Sequence, residues 1–239
     1  MGSSKTFISK IKKESTTKDK VELTVLIPAA GLNNRIPSKD PKCLLEVKNK
    51  SLLGRQIDFY KEFFPTAEII VVVGHEADKI ISKFRGICRF VKNESYDYTN
   101  VCKSIYLGLL ATTHQHVIIS YGDVIFDKHI LKEIELDGKS KLVVSSGKTD
   151  EVGINVSDEG GLHLEYSFPL KWGHIGYFSG KFLKKLTEYV ENPDHITHYT
   201  FEALNWMIDS CGPIGIIKTD RQIMDIDTVK DLDKAKGVF

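Results

Sequence analysis

Along the chain, unbroken apolar runs alternate with segments whose apolar residues recur every three or four positions. VELTVLIPA (21–29), AEIIVVVG (67–74), ICRFVKN (87–93), HVIISYGDVIF (116–126) and KLVVSSG (141–147) are short and rich in β-branched residues, which predicts strands. SLLGRQIDFYKEFF (51–64), EADKIISKFRG (76–86), NVCKSIYLGLLATT (100–113) and DKHILKEIEL (127–136) carry helical spacing. Strands that are apolar throughout need cover on both faces, and intervening amphipathic helices supply it, so the pattern predicts a parallel sheet. After residue 150 the pattern changes. EVGINVSDEGGLHLEYS (151–167) predicts an antiparallel hairpin turning at Asp158-Glu159-Gly160-Gly161. A strand at HIGYFS, helices at KFLKKLTEYV and YTFEALNWMIDS, a strand at GPIGIIK and a helix after Asp227 complete the order.

The expected fold class is α/β: a Rossmann-like, mostly parallel sheet flanked by helices, with a small antiparallel lobe at about 151–210. Residues 1–20 are expected to form an N-terminal arm, with one domain over 21–239. A chain of 239 residues is long enough for a sizeable core, and its 41% apolar and 27% charged content is that of a globular protein. The net charge of +1 provides no basic field for nucleic acid. No apolar run reaches the roughly 18 residues of a membrane span. Cys43, Cys88, Cys102 and Cys211 show no metal-binding spacing, so free thiols in a reducing, cytoplasmic setting are expected. The opening Met1-Gly2-Ser3-Ser4-Lys5-Thr6 fits a loose myristoylation pattern, and a solvated arm is the preferred reading. Asn93-Glu-Ser and Asn155-Val-Ser are glycosylation sequons by pattern only.

Candidate chemistry begins where the first strand ends, in LIPAAGLNNRIPSKDPKCLLEV (26–47). In an open parallel sheet, ligands bind beyond the carboxyl ends of the strands. Ala29, Ala30 and Gly31 carry almost no side chain, so a ring or phosphate can approach the backbone. Gly31, Asn33 and Asn34 tolerate positive φ and are expected to turn their amides into an anion nest. Arg35 adds a fork of donors and Lys42 a point charge, held by Pro37 and Pro41. The loop suits polyphosphate, yet it is neither a GxxxxGK[ST] loop nor a GxGxxG turn. Two acidic places complement it. Asp123 follows Gly122 at a break in a buried strand, and Asp225 and Asp227 sit where a later strand ends, before a Thr228–Asp231 capping box. Asp123 and Asp227 are the expected ligands of a shared Mg²⁺, whereas strand alternation is expected to turn Asp225 away from Asp227.

AAGLNNRIPSKDPKCLLEVKNKSLL resembles the N-terminal signature of the nucleotidyltransferases that activate phosphorylated sugars and alcohols. ISYGDVIFD resembles their metal-binding Asp strand, and MDIDTVKDLDKA their closing strand and helix. Asn33 stands where that family often has a second glycine. The chain is most similar to small bacterial cytidylyltransferases of the phosphocholine type, with Asn100 and Ser104 of YDYTNVCKSIYLGL in matching places and KWGHIGYFSGKFL and HYTFEALNWMI resembling the acceptor-side lobe. The resemblance implies that CTP, or another NTP, is held by Ala29, Ala30, Gly31, Asn33, Asn34, Asn100 and Ser104. It implies that Arg35 and Lys42 stabilise the transferring phosphorus. It also implies Mg²⁺ on Asp123 and Asp227, a phosphorylated small-molecule acceptor, and a role in making precursors of cell-surface polysaccharide or lipid.

Trp172, His174, Tyr177, Tyr199 and Glu202 are the acceptor-side candidates. Tyr96, Tyr98, Trp172, Tyr177, Tyr199 and Trp206 are the aromatics from which a quaternary-ammonium cage would be built, and Glu202 suits a cationic acceptor. Ordinary structural roles compete for each, as for His174 and His75. Three functions stay open: a cytidylyltransferase, a sugar 1-phosphate nucleotidyltransferase using UTP, dTTP or GTP, and a catalytically silent nucleotide-binding regulator. The acceptor and the oligomeric state are left open as well.

Overall fold

Alternation along the first strand sets the architecture. In β1 (Leu23–Ala29), Leu26 enters one apolar cluster while Leu23, Val25 and Ile27 enter another on the opposite face. β4 (Glu68–Val73) does the same, with Ile70 and Val72 on one side and Ile69, Val71 and Val73 on the other. A strand buried on both faces needs helices on both, as the sequence pattern implies. The computed structural model describes residues 21–146, 152–156, 162–166 and 170–239. The N-terminal arm and the hairpin turn expected at 158–161 lie outside the described residues.

After β1, a short antiparallel pair, β2 (Glu46–Val47) and β3 (Lys50–Ser51), leads into α1 (Leu52–Phe63), whose first turn is capped by the Ser51 hydroxyl accepting from Gly54 N at 3.2 Å. Then come β4, α2 (Ala77–Phe84), β5 (Arg89–Lys92), α3 (Val101–Leu110), β6 (His116–Ser120), β7 (Val124–Phe126) and β8 (Lys141–Ser146). β9 (Val152–Val156), β10 (Leu162–Tyr166), β11 (Leu170–Ser179), α4 (Gly180–Glu191), α5 (Thr200–Cys211), β12 (Gly215–Thr219), β13 (Ile223–Asp225) and α6 (Val229–Val238) follow.

The main sheet has the order β10-β9-β11-β6-β1-β4-β5, with β8 beside β11 and β12 beside β8. β5, β4, β1 and β6 are mutually parallel; β11 enters antiparallel between β6 and β8. The chain builds outward from β1 through β4 to β5, then returns to place β6 on the other side of β1. That reversal opens a crevice at the carboxyl end of β1. The antiparallel β9–β10 pair is hydrogen-bonded to β11 and so extends the same sheet.

Three departures from the sequence pattern bear on the site. DKHILKEIEL forms only a 3-10 turn, Lys128–Lys132, because Ile130 and Leu131 reach the core from it and Ile134 from just beyond it, and the chain then turns through Gly138 at φ 80° to start β8. HIGYFS is the end of a longer strand that begins at Leu170 and is irregular between Trp172 and Gly176. After the break at Gly122-Asp123, β7 leaves the main sheet and pairs antiparallel with β13. A separate cluster of Ile36, Leu45, Val47, Ile125, Ile226 and Ala235 then ties the loop after β1 to β7 and α6. Burying each of these larger side chains contributes roughly 1.5–3 kcal/mol. Among the described residues no helix is long and apolar enough to cross a membrane.

Candidate active site

The break in the β6–β7 strand is held from three directions. Buried Gln56 of α1 donates from Nε2 to the carbonyls of Tyr121 (2.8 Å) and Val124 (2.7 Å), and accepts from Ser120 Oγ at 3.0 Å. Gly122 N donates to Pro28 O (3.0 Å) at the end of β1, and Ile226 N donates to Asp123 O (3.0 Å). A Cβ at Gly122 would lie 2.9 Å from Ala29 Cβ, so only glycine lets the two strand ends approach this closely. Backbone bonds thus place Asp123 next to both the loop after β1 and the segment carrying Asp227.

Lys42 closes the arrangement. It opens a 3-10 turn, Lys42–Leu44, that follows Pro41 and is pinned by the buried Cys43. Its ammonium lies 3.2 Å from Asp123 Oδ2 and also donates to Asp227 Oδ1. Arg35 reaches the same Asp227 oxygen at 2.7 Å. Burial pulls the Lys42 pKa down, but the two carboxylates more than reverse this and hold it above its ordinary value. The neighbouring Cys43 thiol is pushed up to about 12, chiefly by burial, so it stays protonated.

These residues border a cleft of about 310 Å³, shared by Pro28, Ala30, Gly31, Asn93, Tyr96, Thr99, Asn100, Ser104, Tyr121, His174, Tyr199 and Asp225. Ala29 borders a smaller recess beside it, together with Gly31, Lys42 and Asp123. Asn100 caps α3 by accepting from Val101 N at 2.8 Å, and buried Ser104 meets Asn93 Nδ2 at 3.2 Å. Asn93, just beyond β5 and noted in the sequence only as part of a sequon, and Tyr121, before the strand break, were not among the site residues expected; both follow strands, which is the signal that could have found them.

The nest expected from Gly31, Asn33 and Asn34 does not form. None of the three has positive φ, and the loop runs on without a left-handed residue until Lys48. Asn33 turns its amide to Asp40 O at 3.0 Å, and neither asparagine borders the cleft. Gly31 instead leaves open space: a Cβ there would meet nothing within 4 Å. Asp225 is likewise placed differently from expectation. A two-residue side-chain period puts positions 225 and 227 on the same side of an extended chain and not on opposite sides, and both residues border the cleft. The Asp225 side chain is only 8% exposed and pairs with Lys171 at 2.5 Å. Burial alone would raise its pKa, but His174 and Lys171 overcome that and hold it at about 2.

The acceptor-side candidates separate. Tyr177 is a core residue at 1% exposure, its hydroxyl bonded to His116 Nδ1 (2.6 Å) and Gly138 N (3.2 Å), because its strand register turns it to the far face of the sheet. Glu202 accepts from Tyr199 N at 2.7 Å as half of a capping box. Trp172 is buried beneath His174, the rings stacked 4.7 Å apart. Trp206 packs on Tyr189, and Tyr98 donates to Ser95 Oγ. His75 lies tilted against Tyr96, 6.0 Å away. Of the six aromatics considered for a cage, only Tyr96 and Tyr199 border the cleft.

A metal fits this donor set to a defined extent. Both carboxylates reach one Lys42 ammonium, so they are close enough to share a single cation, and their oxygens suit a hard ion. Among the described residues no group of three or more His, Cys, Asp and Glu could hold a metal, so two carboxylates would be the protein's share.

Known proteins resemble this arrangement in part and in whole. The bifunctional protein GlmU of Solibacter usitatus is 36% identical over 103 residues, 42% of this chain and 22% of GlmU. A CTP:phosphoglutamine cytidylyltransferase of Campylobacter jejuni is 29% identical over 138 residues, 53% of either protein. The chain therefore spans between about a fifth and about half of the length of these curated relatives. Among solved structures, the CTP:phosphocholine cytidylyltransferase LicC of Streptococcus pneumoniae superposes with a TM-score of 0.76 at 19% identity, over 91% of this chain and 99% of LicC. A putative glucose-1-phosphate thymidylyltransferase of Bacillus anthracis gives 0.76 at 16% identity, over 90% of this chain and 94% of its own. Identities this low establish a shared fold and nothing finer. The closer assignment comes from the MobA-like NTP transferase domain, which matches residues 25–192, from within β1 to just past α4; this chain belongs to that family.

Proposed function

We propose that the protein is a nucleotidyltransferase that moves CMP from CTP onto a phosphorylated small molecule, releasing pyrophosphate and leaving a CDP-linked product. The observation carrying this reading is the reach of one ammonium: Lys42 contacts Asp123 and Asp227, 81 and 185 residues away in sequence. Charge balance then argues for a divalent ion. Asp123, Asp225 and Asp227 stand against Arg35, Lys42 and Lys171, so the bare cleft offers little net attraction to a triphosphate. Asp123 and Asp227 would hold Mg²⁺, which when bound supplies charge neutralisation at the reacting phosphates.

In this reading Arg35 and Lys42 exchange carboxylate partners for oxygens of the triphosphate and stabilise charge as pyrophosphate leaves. The open backbone at Ala30 and Gly31, with Asn100 and Ser104, receives the base and ribose. An oxygen of the acceptor phosphate attacks the α-phosphorus, forming the new P–O bond as the bond to the β-phosphate oxygen breaks. The attacking group is already an anion, so no general base is required.

A second reading keeps the fold and uses a sugar 1-phosphate with UTP, dTTP or GTP. It is favoured by the GlmU relative and by the thymidylyltransferase likeness. Pyrophosphate release measured for four NTPs against phosphorylated alcohols, amides and sugars decides between them. Release with CTP alone supports the first reading and release with another NTP the second. Binding without turnover identifies a silent regulator.

A further inference from the structure

The same cleft is bordered by a polar group with no partner among the described residues. His174 borders the cleft, yet both ring nitrogens are shielded from solvent and neither has a hydrogen-bond partner among the described residues. The ring is fixed in place. Its residue sits at φ 55°, inside the irregular stretch of β11, and its carbonyl accepts from Tyr121 N at 3.2 Å. Trp172 stacks on one face at 4.7 Å and Tyr121 meets the ring edge-on at 4.9 Å. A non-glycine residue held in the left-handed region costs on the order of 1–3 kcal/mol, and two shielded nitrogens add a desolvation penalty. A ring locked this way, at this cost, points to a ligand that supplies the missing bonds.

The surrounding chemistry narrows that ligand. Trp172 is covered by His174 and Tyr177 faces the opposite core, which leaves Tyr96, Tyr121 and Tyr199 on the cleft, with Tyr121 set edge-on against the His174 ring. Asp225, the carboxylate whose charge acts most strongly on the imidazole, is already paired with Lys171. Burial holds the imidazole below its ordinary pKa, so it presents one donor and one acceptor. Resting on the nucleotidyl-transfer reading above, we propose that His174 is a specificity residue for an acceptor that carries a neutral hydrogen-bonding group, a hydroxyl or a carboxamide, beside its phosphate.

The test uses the full chain labelled with ¹⁵N-histidine, in EDTA so that nothing turns over. Four probes are added: glycerol 3-phosphate, phosphoglutamine, phosphocholine and propyl phosphate. The His174 ring signals are assigned by their loss in His174→Phe, which preserves the stack on Trp172. Glycerol 3-phosphate or phosphoglutamine should move those signals while phosphocholine and propyl phosphate leave them in place. His174→Phe should weaken binding of the responsive probe by roughly 100-fold. His174→Asn, which tolerates the left-handed backbone and retains a donor and an acceptor, should recover most of it. Signals unmoved by all four probes, moved equally by all four, or affinity unchanged in His174→Phe would overturn the proposal. Failure of CTP turnover despite a specific His174 response would overturn the proposed reaction alone.

Discussion

The two sides of the cleft are built on opposite principles. On the side of Arg35, Lys42, Asp123 and Asp227, every charge has a partner within the protein, and the partners come from segments far apart in sequence. On the side of Tyr121, Trp172 and His174, the groups are packed by ring contacts; Tyr121 donates to Thr200 Oγ1 at 2.6 Å, but Trp172 Nε1 and both His174 ring nitrogens have no partner among the described residues. The difference teaches how one crevice can meet two kinds of ligand. Paired charges can be exchanged for those of a phosphate or a cation at little net cost, since desolvation is already shared. A shielded, unpaired nitrogen gains only when a neutral donor or acceptor arrives, and so discriminates more sharply.

The largest effect expected from breaking the ionic side is on turnover. Lys42→Met removes the ammonium shared by Asp123 and Asp227 and should lower the rate of pyrophosphate release by about 10²–10³-fold. Circular dichroism should show the fold intact, and a near-normal rate would remove Lys42 from the chemistry. Because Lys42 is held above its ordinary value of 10.5, its pairing stabilises the fold below that pH and the contribution is lost as pH rises through the higher folded value. Wild type should therefore lose stability above pH 10.5 more steeply than Lys42→Met.

Asp225 provides the boundary between the two sides. Its carboxyl falls from an ordinary 3.8 to about 2, so its contribution is present above pH 3.8 and lost as pH falls through about 2. Asp225→Asn should flatten the acid limb of a thermal-denaturation series between those pH values. At neutral pH it should cost about 2–3 kcal/mol. An unchanged acid limb would mean that the Lys171 pair contributes nothing to folding.

Packing beneath the cleft should matter next. A Cβ at Gly108 of α3 would lie 2.1 Å from Leu26 Cδ1 in β1. Gly108→Ala should destabilise by about 1–3 kcal/mol in urea titration, with any loss of activity following loss of folded protein. The smallest effect should come from Glu202→Ala, which removes half of a helix cap and should cost about 1 kcal/mol while leaving the KM for the acceptor unchanged. A large KM change there would restore Glu202 to the acceptor site.

How much of this was legible in sequence varies by element. β1 and β4 were readable because strands buried on both faces need continuous apolar runs, and few other structures do. Asp123 was readable because glycine in a buried strand marks a break. The 127–136 segment misled because its apolar spacing fits a helix, whereas two buried residues on a single turn and Ile134 just after it satisfy the core equally well. Tyr177 misled because sequence proximity to Trp172 and His174 says nothing of which sheet face a side chain takes once the strand is irregular. The anion nest misled because tolerance of positive φ is a permission, and Gly31, Asn33 and Asn34 do not use it.

By itself, then, the sequence determined the alternation of buried strands with covering helices, and it marked the chain positions where charge gathers beyond strand ends. Those are local consequences of side-chain period and backbone freedom. Tertiary structure alone decided that Lys42 touches both Asp123 and Asp227, that Asp225 faces the cleft, and that His174 holds two nitrogens without partners among the described residues. Each depends on the register of strands distant in sequence, and register is fixed by how whole faces pack, which no single segment encodes.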